Sequence, residues 1–221
     1  MTGRTLGTAE PKAGASLAER AYVTLRDQLI LLEIPPGAPI SERELMKQLR
    51  MGSTPVREAI KRLALENLID VFPRRGTFAS DIRITDLAAI SEVRIQLEGY
   101  AARLAAERLT PDGRAALDTL LEELEATTGA ASRDLISLDA RIHRFIYGCA
   151  RNPYLAGTLD RHLSLSLRIW CLVLDQLPDL LGRIGEHREL LRAIRAGDAD
   201  RAREIAAAHV AIFEREIRKF L

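Results

Sequence analysis

The stretch "SERELMKQLRMGSTPVREAIKRL", Ser41 to Leu63, predicts two short helices with a tight turn between them. Its first four residues form a capping box, in which Ser41 and Glu44 can satisfy the free N–H groups of the first turn. After the turn "RMG", the second helix begins with Thr54 as its expected N-cap. Pro55 follows at the first helical position, where its missing N–H is harmless. Two helices joined by so short a turn are typical of a helix-turn-helix.

The second of these helices has two contrasting faces. One face is apolar and is expected to pack on the core; it consists of Val56, Ala59, Ile60 and Leu63. The opposite face carries Thr54, Arg57, Glu58 and Lys61. Such a face can enter a DNA major groove with its N-terminal residues at the base edges. A solvated surface helix has the same pattern, so this helix alone does not decide between the two.

The flanking sequence favours DNA. A helical pattern from Leu17 to Leu32 ends at the prolines of "EIPPGAPI". Downstream, "LIDVFPRRGTFAS" predicts strands at 69–72 and 77–80 around a basic turn, which together form a wing. Although the net charge of the chain is only +1, residues 1–80 hold 12 Lys and Arg against 9 Asp and Glu. The positive charges concentrate at Arg50, Arg57, Lys61, Arg62, Arg74 and Arg75.

The remaining residues, from Thr85 onward, show helical periodicity. We expect helices near 85–108, 111–128, 132–149, 153–175, 179–196 and 198–220. The predicted fold is mostly α, with an N-terminal winged helix-turn-helix followed by an all-α antiparallel helical bundle. The predicted divisions are a flexible tail at 1–16, a DNA-binding domain at 17–82 and a helical domain at 83–221.

The composition excludes several other classes of protein. No apolar run is long enough to span a membrane, and the N-terminus lacks the apolar core of a signal peptide. Two cysteines, Cys149 and Cys171, do not make a disulfide framework. We therefore expect a cytoplasmic protein with no membrane partner.

Histidines and one aspartate form a second constellation. In "DARIHRFI", 139–146, Asp139 and His143 lie one helical turn apart, which fits either a metal-ligand pair or ordinary helix-surface polarity. His187 and His209 lie on the apolar stripes of two further helices, whereas Glu186 is expected to point away from the face of His187. Because buried ionisable groups are costly unless they are paired or metal-bound, a shared divalent-metal site is the favoured interpretation. Mixed imidazole and carboxylate ligands suit Zn, Ni, Mn or Fe and do not distinguish among them.

Residues 35–80, "PPGAPISERELMKQLRMGSTPVREAIKRLALENLIDVFPRRGTFAS", resemble the winged helix-turn-helix of GntR-type transcription regulators, above all in "TPVREA". The resemblance implies DNA contacts at Arg43, Thr54 and Arg57 and a wing tip at Arg75 and Gly76. The family commonly has Ser followed by Arg before the Thr-Pro pair, and here those positions hold Gly and Ser. The arginine of the family pattern is therefore missing here, but the hydroxyl of Ser53 can still bond a phosphate. The expected DNA-binding residues are Arg43, Ser53, Thr54, Pro55, Arg57, Lys61, Arg75 and Gly76.

The helical part resembles the FCD ligand-binding domain of the FadR subgroup of that family. The segments "DARIH", "EHRELLRAIRAGD" and "AAAHV" match its motifs in order. By this resemblance a divalent ion is coordinated by Asp139, His143, His187 and His209. His162 falls outside the pattern and is expected to be a surface or packing residue.

Two arginines are candidates for binding an effector. Arg94 lies on the inward stripe of its helix, where its guanidinium suits either an effector carboxylate or a salt bridge to Glu98 or to a ligand carboxylate. The family resemblance favours the effector. Arg168 is a second candidate, although its helix is apolar nearly all round and its inward face is not defined.

We expect a regulator rather than an enzyme. The hypothesis is a homodimer that binds a palindromic double-stranded DNA operator and represses transcription until a small organic carboxylate binds at the metal site. One alternative is a metal-dependent hydrolytic enzyme, for which the sequence offers no clear general base. The other is a helical bundle whose metal is purely structural.

Overall fold

The computed structural model describes residue 6 and residues 14–83, 85–126, 132–174 and 185–220. The chain divides into two compact units. The first unit comprises Met1–Arg83 together with Leu167–Leu172. The second comprises Ile84–Ser166 together with Val173–Leu221.

Residues 14–83 of the first unit contain three helices, α1 (Leu17–Ile30), α2 (Glu42–Leu49) and α3 (Ser53–Leu65). The hydroxyl of Ser41 accepts the N–H of Glu44 at 3.3 Å and caps α2, as predicted. The carboxylate of Glu44 pairs instead with Lys47, so only half of the capping box forms. Helix α1 packs against α3, and their contact is part of a core that includes Leu25, Leu29, Val56, Ile60 and Leu63. This core supports α3 on its buried face.

A three-stranded antiparallel sheet has the order β1 (Pro39–Ile40), β3 (Gly76–Ala79), β2 (Ile69–Phe72); β1 precedes α2, whereas β2 and β3 follow α3. The hairpin of β2 and β3 confirms the predicted wing. Its turn has positive φ at Arg74 (63°) and Gly76 (112°), and the value at Gly76 favours glycine. Strand β3 begins one residue earlier than predicted. Strand β1 was not predicted, because two residues are too short to show an alternating pattern.

Two expectations for this unit need correction. Helix α3 already begins at Ser53 and has Gly52 as its N-cap, without a side-chain hydrogen bond, so the prediction of Thr54 as N-cap is wrong. In the predicted flexible tail, Leu6 is buried, and its N–H donates to Asp27 Oδ2 at 2.9 Å. At least this residue is therefore held against α1. Residues 1–5 and 7–13 of the tail lie outside the described residues.

The second unit is built from helices. They are α4 (Asp86–Arg108), α5 (Pro111–Ala126), α6 (Ser132–Cys149), α7 (Pro153–Val173), α8 (His187–Ala196) and α9 (Ala199–Ile217), followed by a 3-10 turn (Arg218–Phe220). Within α7, the segment Leu167–Leu172 groups with the first unit. The predicted ends near 128 and 175 and the predicted start near 179 lie outside the described residues. Asn152 and Asp198 cap α7 and α9 with their side chains, and Gly197 ends α8 with a φ of 76°. The predicted fold class is confirmed.

Helix α4 is the central element of this unit for function. It packs against α6, α8 and α9, which are the three helices that carry the predicted metal ligands. Its approach to α9 is close, because a Cβ atom at Gly99 would lie 3.1 Å from the carbonyl oxygen of Arg203. Side chains of α4 can therefore contact the predicted ligands.

None of the helices in the described part of the chain combines the length and the apolar composition needed to span a bilayer.

Candidate metal centre and DNA-binding surface

Four predicted side chains meet inside the second unit. Asp139 and His143 come from α6, His187 is the first residue of α8, and His209 lies in the middle of α9. Each offers one ligand atom, and these atoms all lie within 4.8 Å of one another. Three of the four residues are buried, and His209 is half-buried. The structure thus brings together the whole predicted ligand set, and "DARIHRFI" contributes half of it.

The distances between these atoms fit a shared ion. Nε2 of His187 lies 3.4 Å from Nε2 of His143 and 3.5 Å from Oδ1 of Asp139. Nε2 of His143 lies 3.9 Å from Oδ2 of Asp139. Adjacent ligand atoms about 2.1 Å from one ion are separated by roughly 3.0 to 3.4 Å in octahedral or tetrahedral arrangements. Small adjustments of the side chains would bring all four into a coordination shell, so these residues could hold a metal ion.

Two of the histidines are oriented by carboxylates on their outer nitrogens. Nδ1 of His143 lies 3.1 Å from Oε2 of Glu98, and Nδ1 of His209 lies 3.1 Å from Oε2 of Glu186. A carboxylate accepts hydrogen bonds, so in each neutral ring the proton belongs on Nδ1 and the lone pair lies on Nε2. In His143 this Nε2 faces His187 and Asp139. This is the arrangement typical of histidines that bind metals. The expectation that Glu186 points away from the site is wrong, because its carboxylate reaches across to α9.

Arg94 is engaged inside the protein. Its Nε and Nη2 donate to Oε1 of Glu98 at 3.0 and 2.6 Å, and both side chains are buried. Burial alone would lower the pKa of Arg94, but the carboxylate of Glu98 raises it above its ordinary value. Of the alternatives left open by the sequence, the salt bridge to Glu98 is the one that the structure contains. A contact between Arg94 and an effector stays a prediction.

Glu98 is ionised in this setting. Burial alone would raise its pKa, but His143, Arg94 and a hydrogen bond from Tyr147 bring it well below the ordinary value. The hydroxyl of Tyr147 donates to Oε1 of Glu98 at 2.6 Å, and burial together with this carboxylate raises the pKa of Tyr147 well above its ordinary value. Sequence reasoning missed Tyr147, although it lies one helical turn after His143 on the same face.

Arg168 and His162, two other residues considered from the sequence, do not belong to the four-residue cluster. Arg168 belongs to Leu167–Leu172, the segment that groups with the first unit rather than with the four ligands. It is buried, and burial lowers its pKa, with a partial offset from the charges of Asp70 and Asp81. The structure gives no support to its predicted effector contact. His162 has Nδ1 2.7 Å from the carbonyl oxygen of Thr158 in its own helix and is not one of the four clustered residues, as predicted.

In the first unit, the predicted DNA-binding residues lie on α2, α3 and the wing, and most of them are exposed to solvent. Arg43, Thr54, Arg57, Lys61, Arg75 and Gly76 are exposed, and Ser53 and Pro55 are half-buried. Nε of Arg57 donates to Oε2 of Glu42 at 2.8 Å, which leaves its two terminal nitrogens for another partner. The guanidinium of Arg75 lies 5.9 Å from the ring centre of Phe72, beside the turn of the wing.

Arg62 differs from the other arginines of the basic patch because it holds helices together. Its guanidinium lies 3.5 Å from the ring centre of Tyr22, and Nη1 donates to Glu19 at 2.7 Å. Burial works to lower the pKa of Arg62, but Tyr22, Glu19 and Glu66 raise it above its ordinary value. The surface available to phosphates and bases is therefore smaller than the sequence indicated.

Comparisons with known proteins agree with both halves of this description. Residues 17–79 match the family described as bacterial regulatory proteins, gntR family, and residues 89–211 match the FCD domain. A protein of Streptomyces ambofaciens, described as an uncharacterized HTH-type transcriptional regulator in an unstable DNA locus, is 30% identical over 87% of this chain and 82% of its own length.

Two further proteins are similar over most of the chain. A probable D-xylose utilization operon transcriptional repressor from Paenarthrobacter nicotinovorans is 29% identical over 81% of this chain and 79% of its own length. The solved structure of E. coli McbR/YncC is similar with a TM-score of 0.81 and 27% identity, covering 93% of this chain and 99% of that one.

Proposed function

This chain belongs to the GntR family of bacterial regulatory proteins with an FCD domain, and we propose that it represses transcription until a small organic carboxylate binds at a metal site in its helical unit. Its general function, DNA-binding transcriptional regulation, follows from the two family matches. The relatives are regulators rather than enzymes, so the hydrolytic alternative is set aside.

The observation that carries the proposal is the convergence of one carboxylate and three imidazoles, Asp139, His143, His187 and His209, in the interior of the unit. A bound divalent ion such as Zn, Ni, Mn or Fe supplies coordination positions beyond these four protein ligands. Asp139 contributes a single negative charge, and the histidines coordinate as neutral rings. The ion and its four ligands alone therefore carry a net positive charge, which an anionic effector that coordinates the ion directly can neutralise.

The DNA-binding side of the proposal rests on α3 and the wing. One copy of α3 can read a single stretch of major groove, so a homodimer on a palindromic operator would double the contacts at a spacing of one helical turn. Repression is supported by the relative from Paenarthrobacter nicotinovorans, whose own name describes a repressor. Effector binding would shift the equilibrium between conformations that differ in operator affinity.

A thermal-melt screen tests the sensor. Protein loaded with one identified metal is melted alone and with each member of a panel of mono-, di- and tricarboxylic acids, and the neutral amides of the same acids serve as chemical controls. A ligand that binds only the folded state at 100 times its Kd stabilises it by about 2.7 kcal/mol. For a chain of this size we expect a Tm increase of roughly 5 to 10 °C with at least one acid.

The matched protein control is the Asp139→Ala variant, which should lose the response to the acid that shifts the wild-type melt. If no acid in the panel raises the Tm of the metal-loaded protein, the carboxylate-sensor proposal is wrong. A metal that raises the Tm by itself, with no further effect of any acid, would instead support the purely structural metal.

A further inference from the structure

We propose that Glu98 is the positioning residue of the metal cluster, and that Arg94 and Tyr147 act through it. This inference rests on the proposed metal site but concerns residues outside the ligand set. In the metal-free protein, Glu98 would favour the tautomer of His143 that carries its proton on Nδ1 and leaves Nε2 free to bind the metal.

The two oxygens of Glu98 have different partners. Oε1 accepts three hydrogen bonds, two from Arg94 at 3.0 and 2.6 Å and one from the hydroxyl of Tyr147 at 2.6 Å. Oε2 lies 3.1 Å from Nδ1 of His143. The first oxygen thus anchors the carboxylate, and the second is directed at the histidine. Since Arg94 and Glu98 lie one turn apart on α4 while His143 and Tyr147 lie one turn apart on α6, the two helices hold each other's side chains in place.

This arrangement favours one tautomer of His143. With the proton on Nδ1, the ring donates to Glu98 and presents the lone pair of Nε2 to His187 and Asp139. With the proton on Nε2, a lone pair on Nδ1 would face a carboxylate oxygen, and the N–H would occupy the direction of the ion. Because Glu98 is only 2% exposed, little water can compensate for that repulsion. The ligating form is therefore set by the protein.

Glu186 provides an internal comparison. It makes the same 3.1 Å contact with Nδ1 of His209, but its side chain is 39% exposed, so water competes with it. Removing such outer partners typically lowers metal affinity 10- to 100-fold. We expect the effect to be near the upper end of this range for Glu98 and less than about tenfold for Glu186.

The test combines metal affinity with a spectroscopic measurement on metal-free protein. The Zn²⁺ affinity of Glu98→Gln, Glu186→Gln and wild-type protein is measured by competition with a chelator. The variant Glu107→Gln is the matched control, because Glu107 is an exposed residue of the same helix and pairs with Arg103. We expect a loss approaching about 100-fold for Glu98→Gln, a loss of less than about tenfold for Glu186→Gln and none for the control.

The tautomer is measured by long-range ¹H–¹⁵N NMR of the histidine rings in wild-type protein without metal, at a pH where the rings are neutral. We expect the proton of His143 on Nδ1; a proton on Nε2 overturns the proposal.

A folded Glu98→Gln protein with wild-type Zn²⁺ affinity overturns it as well. If Glu98→Gln does not fold, Tyr147→Phe keeps the ion pair and loosens the anchor, and it should lower the Zn²⁺ affinity several-fold; an unchanged affinity counts against the proposal. Failure of wild-type protein to bind Zn²⁺ would contradict the metal site, while the tautomer would still test the role of Glu98.

Discussion

The Arg57→Ala variant is expected to bind its operator about 5- to 150-fold more weakly than wild-type protein, corresponding to about 1 to 3 kcal/mol for a lost arginine–base contact. Arg57 lies on the exposed face of α3, and its Nε is held by Glu42 at 2.8 Å. The terminal nitrogens are left to contact the edge of a base as a pair. The metal content should not change, because Arg57 lies in the other unit of the chain.

The measurement is fluorescence anisotropy at fixed salt, with a duplex selected by the wild-type protein from a random pool and with a scrambled duplex. Arg103→Ala is the matched control, since Arg103 is also an exposed helical arginine paired with a glutamate, at 2.9 Å, but lies on α4. It should bind the selected duplex like wild-type protein. Equal affinity of Arg57→Ala and wild-type protein would remove Arg57 from the recognition surface.

The His187→Ala variant is expected to lose its metal, with an affinity lowered by more than about 100-fold, which exceeds the effect of removing an outer partner. His187 is fully buried, and its Nε2 lies 3.4 Å from Nε2 of His143 and 3.5 Å from Oδ1 of Asp139. Its removal leaves three of the four proposed ligands.

Elemental analysis of purified protein and the Tm with and without added Zn²⁺ check this prediction. His162→Ala is the matched control, because it removes a histidine of the same unit that is not part of the cluster. The control should keep one metal ion per chain and its stabilisation by Zn²⁺. A His187→Ala protein with a full complement of metal would show that these four residues are not the ligand set.

The sequence predicted those parts of the molecule that depend on local pattern. The winged helix-turn-helix followed from caps, a turn and one basic helix, all within the 46 residues from Pro35 to Ser80. The prediction of the four clustered residues rested on helical stripes, on which His187 and His209 each interrupt an apolar face, together with the resemblance to the FCD domain. Stripes on three helices of one bundle can only meet in its interior.

The features that the sequence did not predict depend on tertiary packing. Periodicity placed Glu98 and Arg94 on one face of α4, but only the approach of α4 to α6 shows that Glu98 contacts His143 and Tyr147. Glu186 immediately precedes α8, where helical spacing does not determine its direction. The helix of Arg168 is apolar on nearly all sides, so its sequence could not indicate which unit that residue joins.

Operator affinity measured with and without the stabilising acid tests whether the helical unit controls the DNA-binding unit. Metal-loaded wild-type protein and His187→Ala are titrated with the selected duplex, in the presence and absence of the carboxylic acid that raises the wild-type Tm. A coupling free energy of about 1 to 3 kcal/mol predicts that the acid weakens operator binding by wild-type protein about 5- to 150-fold and leaves the variant unaffected. If the acid leaves the operator affinity of wild-type protein unchanged, the helical unit does not control DNA binding in response to that acid.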